Sequence, residues 1–89
     1  RYYSISVAAP QARPVMLTTT DGMIEGAFSA ALSRDGRTLF YSTNASDIER
    51  RHIWSVPVAG GTPRQVTTGR GVETHPQPLA SGREVAVLY

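Results

Sequence analysis

At 89 residues, with 40% hydrophobic and 18% charged side chains, the chain is long enough for one modest core and too short for two domains. It contains no cysteine, so disulfides cannot reinforce that core, and no apolar run reaches the roughly 20 residues that span a bilayer as a helix, so no membrane partner is expected. The net charge is only +2, and the nine basic residues, all arginine, are scattered without a stripe to track phosphates, which argues against nucleic acid as a partner.

Short stretches rich in Val, Ile, Tyr, Thr and Phe alternate with clusters of Gly, Pro, Asn, Asp and Ser, the pattern of strands joined by tight turns. The expected class is all-β and antiparallel. In chain order, strands are expected at Tyr2 to Val7, Val15 to Thr18, Ala27 to Ala31, Thr38 to Thr43, His52 to Val58, Arg64 to Thr67, His75 to Leu79 and Glu84 to Tyr89. Period-2 alternation picks out Tyr3, Ile5 and Val7 in the first strand and Trp54, Val56 and Val58 in the fifth as core-facing. Leu39-Phe40-Tyr41 and Val85-Ala86-Val87-Leu88-Tyr89 are apolar on both faces, which suits strands covered on both sides. The expected core is therefore Tyr3, Ile5, Val7, Leu39, Tyr41, Trp54, Val56, Val58, Val85 and Val87. Pro57, lacking a ladder donor, calls for a bulge or an exposed position in its strand.

Turns are expected at Asp35-Gly36, at Gly60-Gly61 and at Gly82, where glycine accepts a backbone conformation that a Cβ opposes. The chain also repeats itself. Tyr3-Ser4-Ile5-Ser6-Val7-Ala8 matches Trp54-Ser55-Val56-Pro57-Val58-Ala59, and Pro14-Val15-Met16-Leu17-Thr18 matches Pro63-Arg64-Gln65-Val66-Thr67. Leu32 to Leu39 aligns with Leu79 to Val85 at the cost of one residue. A supersecondary unit recurring at roughly 45 to 50 residues implies a stacked or radial architecture. Four-stranded antiparallel propeller blades have this period, and the chain then divides into half a blade over 1–20, a whole blade over 27–68 and another half over 72–89.

The histidines and carboxylates give little chemistry. A hydrolytic triad needs a serine and a carboxylate converging on His52 or His75, and the spacing supplies neither; His52 reads as part of a solvated hairpin edge. Glu73 and His75 offer two metal ligands on one strand, too few for a site. Gly69-Arg70-Gly71 lacks the Lys-Ser/Thr pair and the helix start of a phosphate loop. Asn44-Ala45-Ser46 fits the glycosylation acceptor pattern, but so short a motif arises often by chance, and it reads as a turn. Arginine's planar fork suits carboxylates, which makes Arg50 and Arg51, with His52 beside them, the candidate binding residues; a solvated loop is the plainer reading. No catalytic residue, metal or cofactor is expected.

Ser33-Arg34-Asp35-Gly36-Arg37 ahead of Leu39-Phe40-Tyr41, then Ile53-Trp54-Ser55-Val56 and Gly60-Gly61 ahead of Gln65-Val66-Thr67, resembles the TolB-like, WD-repeat-like β-propeller repeat. Arg34 stands where that repeat usually has proline, and the second copy, Ala80-Ser81-Gly82-Arg83, lacks both the proline and the aspartate. The stretch Thr43 to Trp54, with its longer charged loop, is most similar to the N-terminal propellers of prolyl oligopeptidase-family serine peptidases. The resemblance implies a scaffold and substrate-access gate, a companion α/β-hydrolase domain carrying the chemistry, and a peptide substrate passing the propeller. It also implies a periplasmic or secreted setting. Its alternative is a TolB-like propeller that binds proteins without catalysis. The Gly-x-Ser-x-Gly elbow of the hydrolase domain has no counterpart here. The chain begins with Arg1 and shows no targeting segment, which reads as a fragment or processed piece, and its unpaired terminal strands are expected to drive oligomerisation through their edges.

Overall fold

The computed structural model describes residues 1–24 and 29–89. Among these, eight strands and no helix are present: β1 (Tyr3–Ser4), β2 (Val15–Met16), β3 (Ala30–Leu32), β4 (Thr38–Thr43), β5 (His52–Pro57), β6 (Arg64–Gln65), β7 (Thr74–Pro78) and β8 (Val85–Leu88). They form antiparallel sheets of two, four and two strands, ordered β1-β2, β3-β4-β5-β6 and β7-β8. Each strand overlaps an expected one. Ala27 and Phe28, the expected start of the third strand, lie outside the described residues.

The long hairpin β4–β5 organises the molecule, because its six paired positions alternate between two covered faces. Leu39, Tyr41, Trp54 and Val56 point to one face and pack with Leu17, Ala45, Tyr2 and Ala30. The rings of Tyr2 and Tyr41 meet edge to face at 6.1 Å. Phe40, Ser42 and Ile53 point to the other face, on which β7 packs. The four-stranded sheet is thus a middle layer, with β1–β2 on one side and β7–β8 on the other. Pro57 sits at the exposed end of β5, beyond Trp54 and Ser55, the residues that β6 pairs, so its missing N–H costs the ladder little.

Hydrogen bonds repeat along the chain. Leu17 N–H donates to the Tyr2 carbonyl at 2.8 Å and Val66 N–H to the Ile53 carbonyl at 2.7 Å. Tyr2 N–H donates to the Thr18 hydroxyl, and Ile53 N–H to the Thr67 hydroxyl, both at 2.8 Å. Hairpins β1–β2 and β5–β6 are therefore copies of one unit. The connections β3–β4 and β7–β8 are copies of another: Gly36 N–H donates to Ser33 and Gly82 N–H to Leu79, with φ of 74° and 72°. These bonds align Ser33 with Leu79 and Leu32 with Pro78. They correct the expected match of Leu32 to Leu79, and no residue is lost between the two copies.

Burial follows the expected core most fully in the middle sheet. Tyr41, Trp54 and Val56 are buried, while Leu39, Val58 and Val85 are half-buried. Tyr3, Ile5 and Val7 are exposed, contrary to the expectation, and Val87 lies at the exposed margin. Alternation separates the two faces of β1, but the covered face is the opposite one: Tyr2 turns toward the middle sheet, so Tyr3 and Ile5 turn away from it. Among the described residues no sheet lies across from them.

Candidate functional site

The loop between β4 and β5 folds back through two turns, Asp47 N–H to the Asn44 carbonyl at 3.1 Å and Arg50 N–H to the Asp47 carbonyl at 3.0 Å. Asn44 lies in a turn, as its sequence suggests, and its side chain accepts a bond from Met23 N–H at 2.6 Å. This loop delivers Arg50, Arg51 and His52 to the connection that leads from β6 to β7.

The three candidates separate there. Arg50 pairs with Asp47 at 3.2 Å and donates to the Arg70 carbonyl at 3.1 Å, so its fork is engaged by its own chain although the side chain is exposed. Arg51 bridges to Val72 in parallel, and its carbonyl accepts a bond from Glu73 N–H at 2.9 Å. His52 is buried, at 4% exposed, which corrects its reading as a solvated hairpin edge. Its position opposite Thr43 at the end of β4–β5, with Glu73 folded against its ring, is the reason.

His52 sits between two carboxylates. Nδ1 lies 2.7 Å from Glu73 Oε2 and Nε2 lies 3.3 Å from Asp47 Oδ2. Glu73 Oε2 also accepts the Thr67 hydroxyl at 3.1 Å, and the Ser42 hydroxyl donates to the Glu73 carbonyl at 2.7 Å. Burial pushes the Asp47 carboxyl up, but hydrogen bonds from His52 and Arg50, with the Arg50 charge, outweigh it and hold the group below its ordinary value.

This network resembles a catalytic constellation in composition alone. Both ring nitrogens of His52 face carboxylates rather than a serine hydroxyl. Ser42, the buried serine nearby, spends its hydroxyl on a backbone carbonyl and is 1% exposed, which leaves no approach for a carbonyl substrate. Among the described residues no group of three ligating side chains is arranged to hold a metal ion. What the arrangement does is mechanical: Glu73, from the β6–β7 connection, clamps Thr67, His52 and Ser42 and so fixes β7 against the middle sheet.

The first repeat carries a surface version. Arg1, at the place of His52, donates to the Thr18 carbonyl at 2.8 Å and pairs with Asp21 of the following connection at 2.5 Å. By sequence alone Glu73 stands out only as half of a metal-ligand pair. The signal that points to its role is the threonine repeated at Thr18 and Thr67.

The turn residues are where the sequence places them. Asp35 accepts the Ser33 hydroxyl at 2.7 Å and Arg37 N–H at 3.0 Å, and these bonds hold its carboxyl below the ordinary value. Gly60 N–H donates to the Pro57 carbonyl at 2.9 Å, which closes the β5–β6 hairpin through Gly61. A cleft of about 580 Å³ opens between β6 and β8, lined by Phe40, Ile53, Val66, Val85 and Val87 among others. No helix among the described residues is long and apolar enough to cross a membrane. No protein-family model matches the chain, and no curated protein or solved structure matches it significantly.

Proposed function

We propose that the chain is a run of β-propeller blades, half, whole and half, serving as scaffold and substrate-access gate beside an α/β-hydrolase domain of the prolyl oligopeptidase type. The reading rests on one observation above all: Tyr2 and Ile53 make the same bonds to Thr18 and Thr67, so the outer hairpin of the four-stranded sheet recurs one repeat earlier. The inner hairpin recurs one repeat later around Gly82. A sheet unit repeated face against face is the construction of a propeller. The chain supplies support rather than chemistry, since His52 and Ser42 are both committed to internal bonds. Its partners are then the hydrolase domain and the peptide admitted past it, outside the cytoplasm.

A fluorophosphonate probe should leave the purified chain unlabelled; covalent labelling of any serine overturns the scaffold reading. The coding region beyond Tyr89 decides the partner. A stretch of about 200 to 250 residues with Gly-x-Ser-x-Gly followed by Asp and His supports the peptidase gate. Without it, the reading passes to a TolB-like propeller that binds proteins through its loops.

A further inference from the structure

Along the chain the arginines are scattered, but the fold sorts them into two ends. The β3–β4 and β5–β6 turns share one end of the middle sheet, where Val58 N–H donates to the Arg37 carbonyl at 2.9 Å. A Cβ on Gly60 would stand 3.0 Å from the Val15 side chain, which sets the β1–β2 connection at the same end. The β7–β8 turn joins them, since Ala80, Gly82 and Arg83 line the same opening as Ser33, Arg34 and Asp35.

This turn end carries Arg13, Arg34, Arg37, Arg64 and Arg83, all exposed. Its two carboxylates, Asp35 and Glu84, take the Ser33 and Ser81 hydroxyls at 2.7 and 3.3 Å. None of the five guanidinium groups has a hydrogen-bond or ion-pair partner among the described residues. The opposite end differs. There four arginines meet four described carboxylates, Arg1 pairs with Asp21, Arg50 pairs with Asp47, and Arg51 lies against the Met23 sulfur at 3.6 Å. The positive excess of the chain therefore stands at the turn end, and it recurs with the repeat, because Arg37 and Arg83 each follow the glycine of a copied turn. Unpaired charge of one sign gathered on one surface attracts and orients a partner of the other sign.

The chemistry of the end narrows that partner. All the cations are arginine, whose planar fork takes a carboxylate through two parallel bonds. Leu32 and Leu79, both exposed, stand beside the turns, and arginine mixed with apolar side chains in the absence of lysine is the composition of protein-binding surfaces. Among the described residues no aromatic ring stands at these turns to stack on a base or enter a bilayer surface. We propose that the turn end binds an acidic polypeptide segment, whose carboxylates pair with Arg34, Arg37 and Arg83 while Arg13 and Arg64 flank them. The surface stands without the propeller reading, because hairpin turns stay at the end of a sheet whatever packs against its faces or edges.

Fluorescence anisotropy of a labelled glutamate-rich peptide of about ten residues, titrated with the full chain at low salt, tests the assignment. The expected result is saturable binding that weakens as salt rises, with a glutamine-for-glutamate peptide left unbound. Arg34→Gln, Arg37→Gln and Arg83→Gln should each lower the affinity about two- to fivefold, and the triple variant about tenfold or more. Arg70→Gln, the same loss of charge at the opposite end, should stay within about twofold of the unsubstituted chain. Unchanged Trp54 emission checks the fold of each variant. Anisotropy that stays flat up to about 1 mM chain overturns the proposal, as does an Arg70→Gln loss equal to that of Arg37→Gln. Tighter binding of an oligodeoxythymidylate of matched charge, or of phosphatidylserine vesicles, overturns the polypeptide assignment and gives the surface to that partner instead.

Discussion

Tyr3 and Trp54 hold the same position in two copies of one hairpin, Tyr3 paired with Met16 and Trp54 with Gln65, yet Trp54 is 7% exposed and Tyr3 56%. The difference lies in what stands across from them. Trp54 has β1–β2 over its face, and among the described residues Tyr3 has no layer over its own. Equivalent residues should therefore respond unequally to truncation. Trp54→Ala should cost about 3 to 5 kcal/mol. Tyr3→Ala should stay within about 0.5 kcal/mol at concentrations where the chain is monomeric. Urea unfolding of both variants measures the contrast, and equal losses would refute the layered assignment.

Glu73 is the tightest link between the β6–β7 connection and the middle sheet. Its carboxylate is 3% exposed and meets His52 and Thr67, so removing a partner strands a buried polar group. Glu73→Ala should destabilise by about 3 to 5 kcal/mol, and Thr67→Val, which also strips the acceptor of Ile53 N–H, by about 1 to 3 kcal/mol. Gly69 offers an independent route to the same damage. A Cβ there would run into the Glu73 carboxylate, so Gly69→Ala should lower the melting temperature through loss of the His52 contact. In the Glu73→Ala background the glycine substitution should add little, because the clash is gone. Thermal melts of the two single variants and the double variant test the coupling.

The strands and turns are legible in the sequence because they depend on local rules. Alternation and Asp-Gly or Gly-Gly dipeptides place all eight strands, and the repeat of residue types by itself pairs Thr18 with Thr67. What is not legible depends on neighbours. Alternation marks Tyr3, Ile5 and Val7 as one face but cannot say whether another sheet lies opposite. His52 looks like a surface residue after Glu49-Arg50-Arg51, because its burial is set by Glu73, distant in sequence and close in space. The match of Leu32 to Leu79 misleads for a related reason: the leucines agree in type, but the turn is fixed by the glycine whose backbone φ it requires.

Tyr41 gives a prediction at high pH. Burial pushes its phenol up to about 12 from an ordinary value of 10.0. The folded state thus holds the proton more tightly than the unfolded state, so the stability it contributes is fully present below pH 10 and is lost as pH rises toward 12. The loss should amount to about 2 to 3 kcal/mol. Tyrosinate absorbance should show Tyr41 titrating near 12 together with loss of the fold, and Tyr41→Phe should remove that alkaline transition. An early titration of Tyr41 with the fold intact would show that its hydroxyl reaches water.

The turn at Gly36 separates backbone strain from side-chain crowding. Gly36 has a φ of 74° with nothing within 4 Å of where a Cβ would stand, so a substitution there meets only its own backbone. Gly36→Ala should cost about 1 kcal/mol, and Gly36→Asn less, because asparagine tolerates the left-handed region. The same pair at Gly82, with a φ of 72°, should behave alike, since the two turns are copies. Asp35 distinguishes them under acid. Its carboxyl, lowered first by the Ser33 hydroxyl and then by Arg37 N–H, supports the fold above the ordinary aspartate value, and that support is lost as pH falls through its lower folded value. Ser81 takes the place of Asp35 in the second copy and accepts Arg83 N–H at 3.2 Å without titrating. Asp35→Asn should therefore flatten the acid limb of the stability profile, while Ser81→Ala should lower stability by removing the bonds to Arg83 N–H and to the Glu84 carboxylate. An acid limb left unchanged by Asp35→Asn would show that the β3–β4 turn is held by other groups.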